Sequence, residues 1–348
     1  MKISRNIYFR NFFSKVLAAF AIVLVIVACE IKKVNEPAIA EDNRFKVIFD
    51  TDANNELDDQ HAMAYLFFNS DIFNTLAVTV NATFNGGDIQ GHYDEAKRVM
   101  QLCNVYGKIP LFKGANGSFE QIRSDIQKDE FDGHEAVDFI IEQAHAIEGE
   151  KLILLPVGKL TNIALALEKD PSIASKVRIV WLGSNYPAPG EYNQNNDPGS
   201  MNYILDFDVP FEMVTVRYGR ATGTAAVTAN RAEINENMPG KGPEATEPVI
   251  GRHGGTFNNF GDYSVNLYEH IDTNDEAGTR ALFDMAAVAM VKNPDWAERK
   301  EIPAPILVDN KWEERPENTR IMVLWENFDK QAIMADFFDR MENYQLEP

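Results

Sequence analysis

From Arg44 onward, short apolar runs alternate with longer amphipathic stretches. Lys46–Phe49, Leu76–Val80, Leu152–Val157, Arg178–Leu182, Phe211–Val216 and Arg320–Leu324 read as strands. Asp59–Phe68, Asp94–Tyr106, His134–Ala146, Asn162–Glu168, Gly278–Val291 and Lys330–Met341 read as helices. Several strand candidates are continuous apolar runs, as expected for parallel strands covered on both faces. The alternation predicts an α/β fold: a single doubly wound, mostly parallel sheet with helices on both faces. No repeat or linker interrupts residues 44–348, so one domain is expected there.

Charge and cysteine usage narrow the chemistry. Lys plus Arg number 33 against 53 Asp plus Glu, a net charge of -20. Such a surface argues against binding a phosphate backbone, so no nucleic-acid partner is expected. Cys29 and Cys103 are the only cysteines, too few for a disulfide framework or a CxxC zinc site. Cys103 sits on an apolar helical face and reads as core.

The first thirty residues read as an address. Lys2, Arg5, Arg10 and Lys15 precede an apolar run from Val16 to Ala28. That run is shorter than the ~20 residues a membrane-spanning helix needs, and its basic flank marks an export signal. Ile26-Val27-Ala28-Cys29 resembles a bacterial lipobox, which implies lipidation of Cys29 and a membrane-anchored exported protein, periplasmic or on the cell surface. An ordinary signal peptide with a coincidental cysteine is the bland alternative. The expected layout is 1–28 signal peptide, 29–43 polar tether and 44–348 domain.

The sharpest chemical feature follows the first strand. Asp50 and Asp52 lie two apart at its end, and Asp58 and Asp59 open the next helix. Acids at a helix N-terminus have an ordinary explanation, because the free N–H groups and the dipole favour negative charge there. It does not cover the two acids on the strand. Carboxylates crowded at one loop raise one another's pKa, and a hard cation removes that conflict. Calcium, which takes six to eight oxygen ligands, fits better than magnesium, which keeps several waters.

These residues resemble the N-terminal signature of the inosine/uridine-preferring nucleoside hydrolases, Asp-x-Asp followed by Asp-Asp. The likeness continues in Gly158-Lys-Leu-Thr161-Asn162-Ile-Ala, in Gly183-Ser-Asn185…Glu191-Tyr192-Asn193…Asp197-Pro198, and in Phe283-Asp284-Met-Ala-Ala-Val-Ala. The resemblance implies hydrolysis of the N-glycosidic bond of ribonucleosides or a related ribosyl compound. It implies calcium held by Asp52, Asp59, the main-chain oxygen of Thr161, and Asp284, with the ion also binding two ribose hydroxyls and a water. The counterpart of Asp52 deprotonates that water. Asp58 and Asn193 would hydrogen-bond ribose hydroxyls, and Asn185 and Glu191 would reach the 5′ end. An asparagine after the second strand would also touch ribose; Asn81 and Asn85 are the candidates, with Asn85 preferred. Family members are commonly dimers or tetramers, so assembly of copies is an expectation of the same kind.

Three positions depart from the family pattern. The spacer between Asp52 and Asp58 is about two residues longer, so Glu56 could become a ligand or substrate contact. Phe283 stands where purine-accepting members carry the histidine that protonates the leaving base. The segment Asp132-Gly133-His134-Glu135 matches only loosely. His61, His134 and the Gly- and aromatic-rich segment Arg252–Tyr263 are candidate replacements on the base side, each with a plain structural alternative. Trp181 reads as core. A competing function is a lipid-anchored calcium-dependent binder of ribosyl compounds or polyols with hydrolysis weak or lost. A haloacid-dehalogenase-like phosphatase would explain Phe49-Asp50-Thr-Asp52 but would leave Asp58, Asp59 and Asp284 unexplained.

Overall fold

A computed structural model describes residues 42–273 and 275–346; the expected signal peptide and Cys29 lie outside them. Eight strands build the central sheet. In chain order they are β1 (Phe45–Thr51), β2 (Phe73–Val80), β3 (Leu111–Lys113), β4 (Leu152–Pro156), β5 (Val177–Leu182), β6 (Phe211–Val214), β7 (Glu298–Pro303) and β8 (Ile321–Glu326). Across the sheet the order is β7-β8-β6-β5-β4-β1-β2-β3. All neighbours run parallel except the edge pair β7 and β8. This is the doubly wound α/β sheet that the strand–helix alternation predicts.

Residues alternate sides along each central strand, yet nearly all are apolar. Val47 and Phe49 of β1, Ile153 and Leu155 of β4, and Val180 and Leu182 of β5 enter one core layer. Their neighbours Ile48, Leu152, Leu154, Ile179 and Trp181 enter the other. The first layer is closed by α1 (Asp58–Phe67), α2 (Ile89–Leu102), α7 (Phe260–His270), α8 (Phe283–Lys292) and α9 (Lys330–Glu342). The second is closed by α3 (His134–Ala146), α4 (Thr161–Lys169) and α6 (Pro198–Asp206), with α5 (Tyr192–Asn196) just before α6. Burial on both faces is why the strands lack a polar period.

The chain leaves β1 toward β2 and β3, then returns to place β4 on the other side of β1. Such a reversal leaves a crevice at the carboxyl ends of the two strands, where ligands of open α/β sheets bind. One expected boundary shifts with consequence. The stretch expected as a helix from Gly278 forms a short strand at Arg280–Ala281, and α8 starts only at Phe283. Asp284 therefore lies in the first turn of α8, and α8 packs directly on α1. Among the described residues no helix is long and apolar enough to cross a membrane.

Candidate active site

A cavity of about 690 Å³ opens at this crevice. Asp52 reaches it from the end of β1, and Asp58 and Asp59 from the first turn of α1. Asp284 reaches it from the first turn of α8. Neither helix has a side-chain cap on its first N–H groups, so two positive helix ends face the acids. Carboxylate oxygens of Asp58, Asp59 and Asp284 lie within 4.8 Å of one another, all three residues buried.

Burial first, and then mutual repulsion, holds Asp52, Asp58 and Asp284 well above the usual carboxylate range. Asp59 presses on Asp52 and Asp58, and Asp58 presses on Asp284. Burial also pushes Asp59 up to about 6, against the hydroxyl of Thr51, which donates to it. Asp52 accepts from the Thr83 hydroxyl at 2.9 Å and from the Asn55 amide. Without a cation, these carboxylates can share the site only by holding protons. A small cluster of buried oxygens that repel one another is what a hard divalent ion neutralises, so the residues present fit such an ion.

Asp50 does not join them. It is fully buried and accepts from Thr79 at 2.6 Å, Asn81 at 2.7 Å and Asn162 at 2.6 Å. The expected crowd of four acids on one loop is therefore three, and the fourth member of the cluster arrives from Asp284. Asn81 serves Asp50, and Asn85 lines the cavity.

The other ribose-side candidates divide. Glu191 and Asn193 line the cavity. Glu191 caps α5, accepting from the backbone N–H groups of Ser184, Asn193 and Gln194 at 2.8–3.0 Å. Asn193 donates to the main-chain oxygens of Val157 at 2.6 Å and Leu182 at 3.1 Å. Asn185 and Thr161 are off the cavity wall. Asn185 holds a neighbouring loop by accepting from the Tyr218 N–H at 3.0 Å. Thr161 is the first residue of α4, and its hydroxyl donates to Asp197 at 2.5 Å. From this segment it is Val157, before α4, that lines the cavity.

Both histidines proposed for the base side are elsewhere. His61 is fully buried, its Nδ1 2.5 Å from the Leu57 carbonyl oxygen and its Nε2 2.7 Å from the Ser264 hydroxyl, among Phe260, Tyr268 and Phe337. His134 places Nδ1 2.9 Å from the Phe131 carbonyl oxygen. The Arg252–Tyr263 segment does not lay its rings on the cavity: Phe257, Phe260 and Tyr263 pack into the core. Arg252 instead donates to the main-chain oxygens of Asn54 and Glu56 at 3.1 and 3.2 Å, which pins the long spacer. Glu56 pairs with Arg280, and both line the cavity. Tyr192, Tyr218 and Arg280 are wall residues that sequence reasoning passed over. Tyr218 follows a strand end, the position such sheets reserve for ligands, and that signal could have found it.

The comparisons with known proteins agree with this geometry. A pyrimidine-specific ribonucleoside hydrolase of Escherichia coli is 35% identical over 85 residues, 23% of this chain and 27% of that protein. An uncharacterised Schizosaccharomyces pombe protein is 30% identical over 134 residues, 36% of this chain and 43% of its own. The matches thus span less than half the length of these relatives. The solved purine-preferring ribonucleoside hydrolase of Gardnerella vaginalis superposes with a TM-score of 0.62 at 20% identity, covering 85% of this chain and 98% of that one, a likeness of fold. The sequence profile of one family matches residues 47–342, from β1 to the last residue of α9. A profile that spans the sheet, the carboxylate cluster and the closing helix leaves one conclusion: the chain belongs to the inosine-uridine preferring nucleoside hydrolase family, a family of glycosidase-type enzymes.

Proposed function

We propose that this protein hydrolyses the N-glycosidic bond of ribonucleosides or a close ribosyl relative, with calcium bound at the carboxylate cluster. The observation that carries the reading is the meeting of Asp58, Asp59 and Asp284 within 4.8 Å on the floor of the cavity, with Asp52 beside them. Asp52, Asp59 and Asp284 would hold the ion, together with main-chain oxygen. A bound calcium ion would lower the pKa of a water and orient the ribose hydroxyls. Asp52 takes the proton from the attacking water, held in place by Thr83 and Asn55. Asp58 and Asn193 position ribose hydroxyls, and Glu191 faces the 5′ end. The fixed carboxylates favour the positive charge that develops on the sugar as the bond breaks.

Incubation with calcium and a nucleoside panel should release free ribose. Asp52→Ala should reduce that release by ~10²-fold or more, the scale of a lost general base. Phe283, which cannot donate a proton, favours the second reading, a calcium-dependent ribosyl or polyol binder; tight binding without ribose release would establish it. The export reading is tested by fractionating cells that express the full chain: the wild type should be membrane-associated, and Cys29→Ser released.

A further inference from the structure

Above the carboxylate floor the cavity wall is aromatic. Tyr192, Tyr218 and Phe283 line it. The rings of Tyr218 and Phe283 meet edge to face, 5.7 Å between centroids. Phe84, 65% exposed, lies 4.9 Å from the ring of Tyr192. The Tyr192 N–H points to the Tyr218 hydroxyl at 3.4 Å, so the start of α5 touches the loop after β6. This wall holds Tyr218 firmly. Its N–H is bound by Asn185, and the preceding Arg217, at φ 50°, is anchored by Glu326 at 2.7 Å and by the Tyr186 carbonyl at 2.9 Å.

Above the carboxylate floor no group is a ready acid for a leaving base: Glu191, though burial raises its pKa, is held as an acceptor by three backbone N–H groups. Burial, and for Tyr218 the adjacent Glu191, keeps both phenols protonated far above neutral pH, so they are hydrogen-bond donors and weak acids. Arg280 is paired with Glu56. Among the described residues, no histidine lines the cavity. Its walls carry six carboxylates against one guanidinium, an excess that a bound divalent ion would cancel only in part.

We propose that the preferred substrates are N-ribosides whose heteroaromatic leaving ring already bears a positive charge, of the N-ribosylpyridinium type. This rests on the ribosidase reading above and names its substrate class. A cationic ring is attracted by aromatic faces and by the surrounding carboxylates. Its chemistry also needs no acid. Water oxygen bonds to C1′ as the C1′–N bond breaks, and the bonding pair returns to the ring nitrogen and cancels its charge. The water proton passes to Asp52 and then to solvent. A neutral purine or uracil would leave as an anion unless something protonated it.

The test compares kcat/KM of the full chain with calcium for nicotinamide riboside, inosine, uridine and 4-nitrophenyl β-riboside. The nitrophenyl compound is neutral and leaves without protonation, so it reports the ribose half alone. The cationic riboside should exceed inosine and uridine by about tenfold or more. Tyr218→Ala should lower its kcat/KM more than that of the nitrophenyl riboside. Phe283→His should narrow the gap by raising inosine. Cleavage of the nitrophenyl riboside with inosine or uridine equal to the cation would overturn the substrate class and leave the ribosidase reading intact. If none of the four ribosides is cleaved, both fall.

Discussion

Gly158 stands where no side chain fits. A Cβ there would lie 2.7 Å from Asp52 Oδ1 and 2.9 Å from the amide of Asn81. Gly158→Ala must push Asp52 aside, and a displacement of that size should cost roughly a hundredfold in ribose release. Steady-state assay beside a melting curve separates this from misfolding, since the melting temperature should move little. His61 is a residue whose reading changes once its neighbours are known. From sequence it is a polar residue one turn past the acids; in the fold it is core, and burial pushes its pKa down to about 4. Unfolded, the same imidazole takes up a proton near 6.5. Between those values the unfolded chain binds more protons, so stability falls as pH drops through the window and is unaffected above it. The contribution lost by pH 4 is on the order of 3 kcal/mol. In calcium-saturated melts, His61→Gln should lose this acid slope, so its deficit relative to the wild type should shrink as pH falls. Asp52, Asp58 and Asp59 were legible as an acidic cluster from spacing alone. Tyr218 carried a weaker signal, its place just after a strand end, and the return of β6 to the sheet is what brings it to the cavity.

Elements that reach the site are tied by a buried carboxylate that does no chemistry there. Asp50 joins β1 to Thr79 of β2, to Asn81 just beyond it, and to Asn162 of α4. Asp50→Ala would leave three buried donors unpaired, at a cost of about 2–4 kcal/mol and a matching fall in the denaturation midpoint. A shift below 1 kcal/mol would show that water replaces the carboxylate. The central strands and the helices flanking them could be read in advance because their apolar patterns are continuous. The edge strand β7, Glu-Arg-Lys-Glu-Ile-Pro, could not: it is largely exposed, so its residues carry no apolar signal. α7 was hidden for another reason. Its start at Phe260-Gly-Asp-Tyr263 combines poor helix formers, and tertiary packing of Phe260 and Tyr263 into the core decides the matter.

The whole molecule brings two helix N-termini and one strand end to a single point, the convergence that the proposed cation site requires. The doubly wound sheet was readable from alternation, and the crevice beside β1 follows from it. That Asp284 reaches Asp58 and Asp59 was readable only through the family resemblance, since no local pattern encodes a contact made between α8 and α1. Without a cation, the buried acids have pKa values raised above their unfolded ones, Asp59 to about 6. The folded state then holds more protons, so its stability falls as pH rises from about 4 through 6 and beyond. Chelator should therefore lower the melting temperature more at pH 8 than at pH 5, and saturating calcium should restore about 2.7 kcal/mol at a hundredfold excess over Kd. The most direct measurement is calorimetric titration of calcium into the chelator-treated chain at about neutral pH. One saturable site per chain is expected, and it should disappear in Asp59→Asn and in Asp284→Asn while the fold is kept. No binding heat in the wild type, or undiminished binding in both variants, would contradict it.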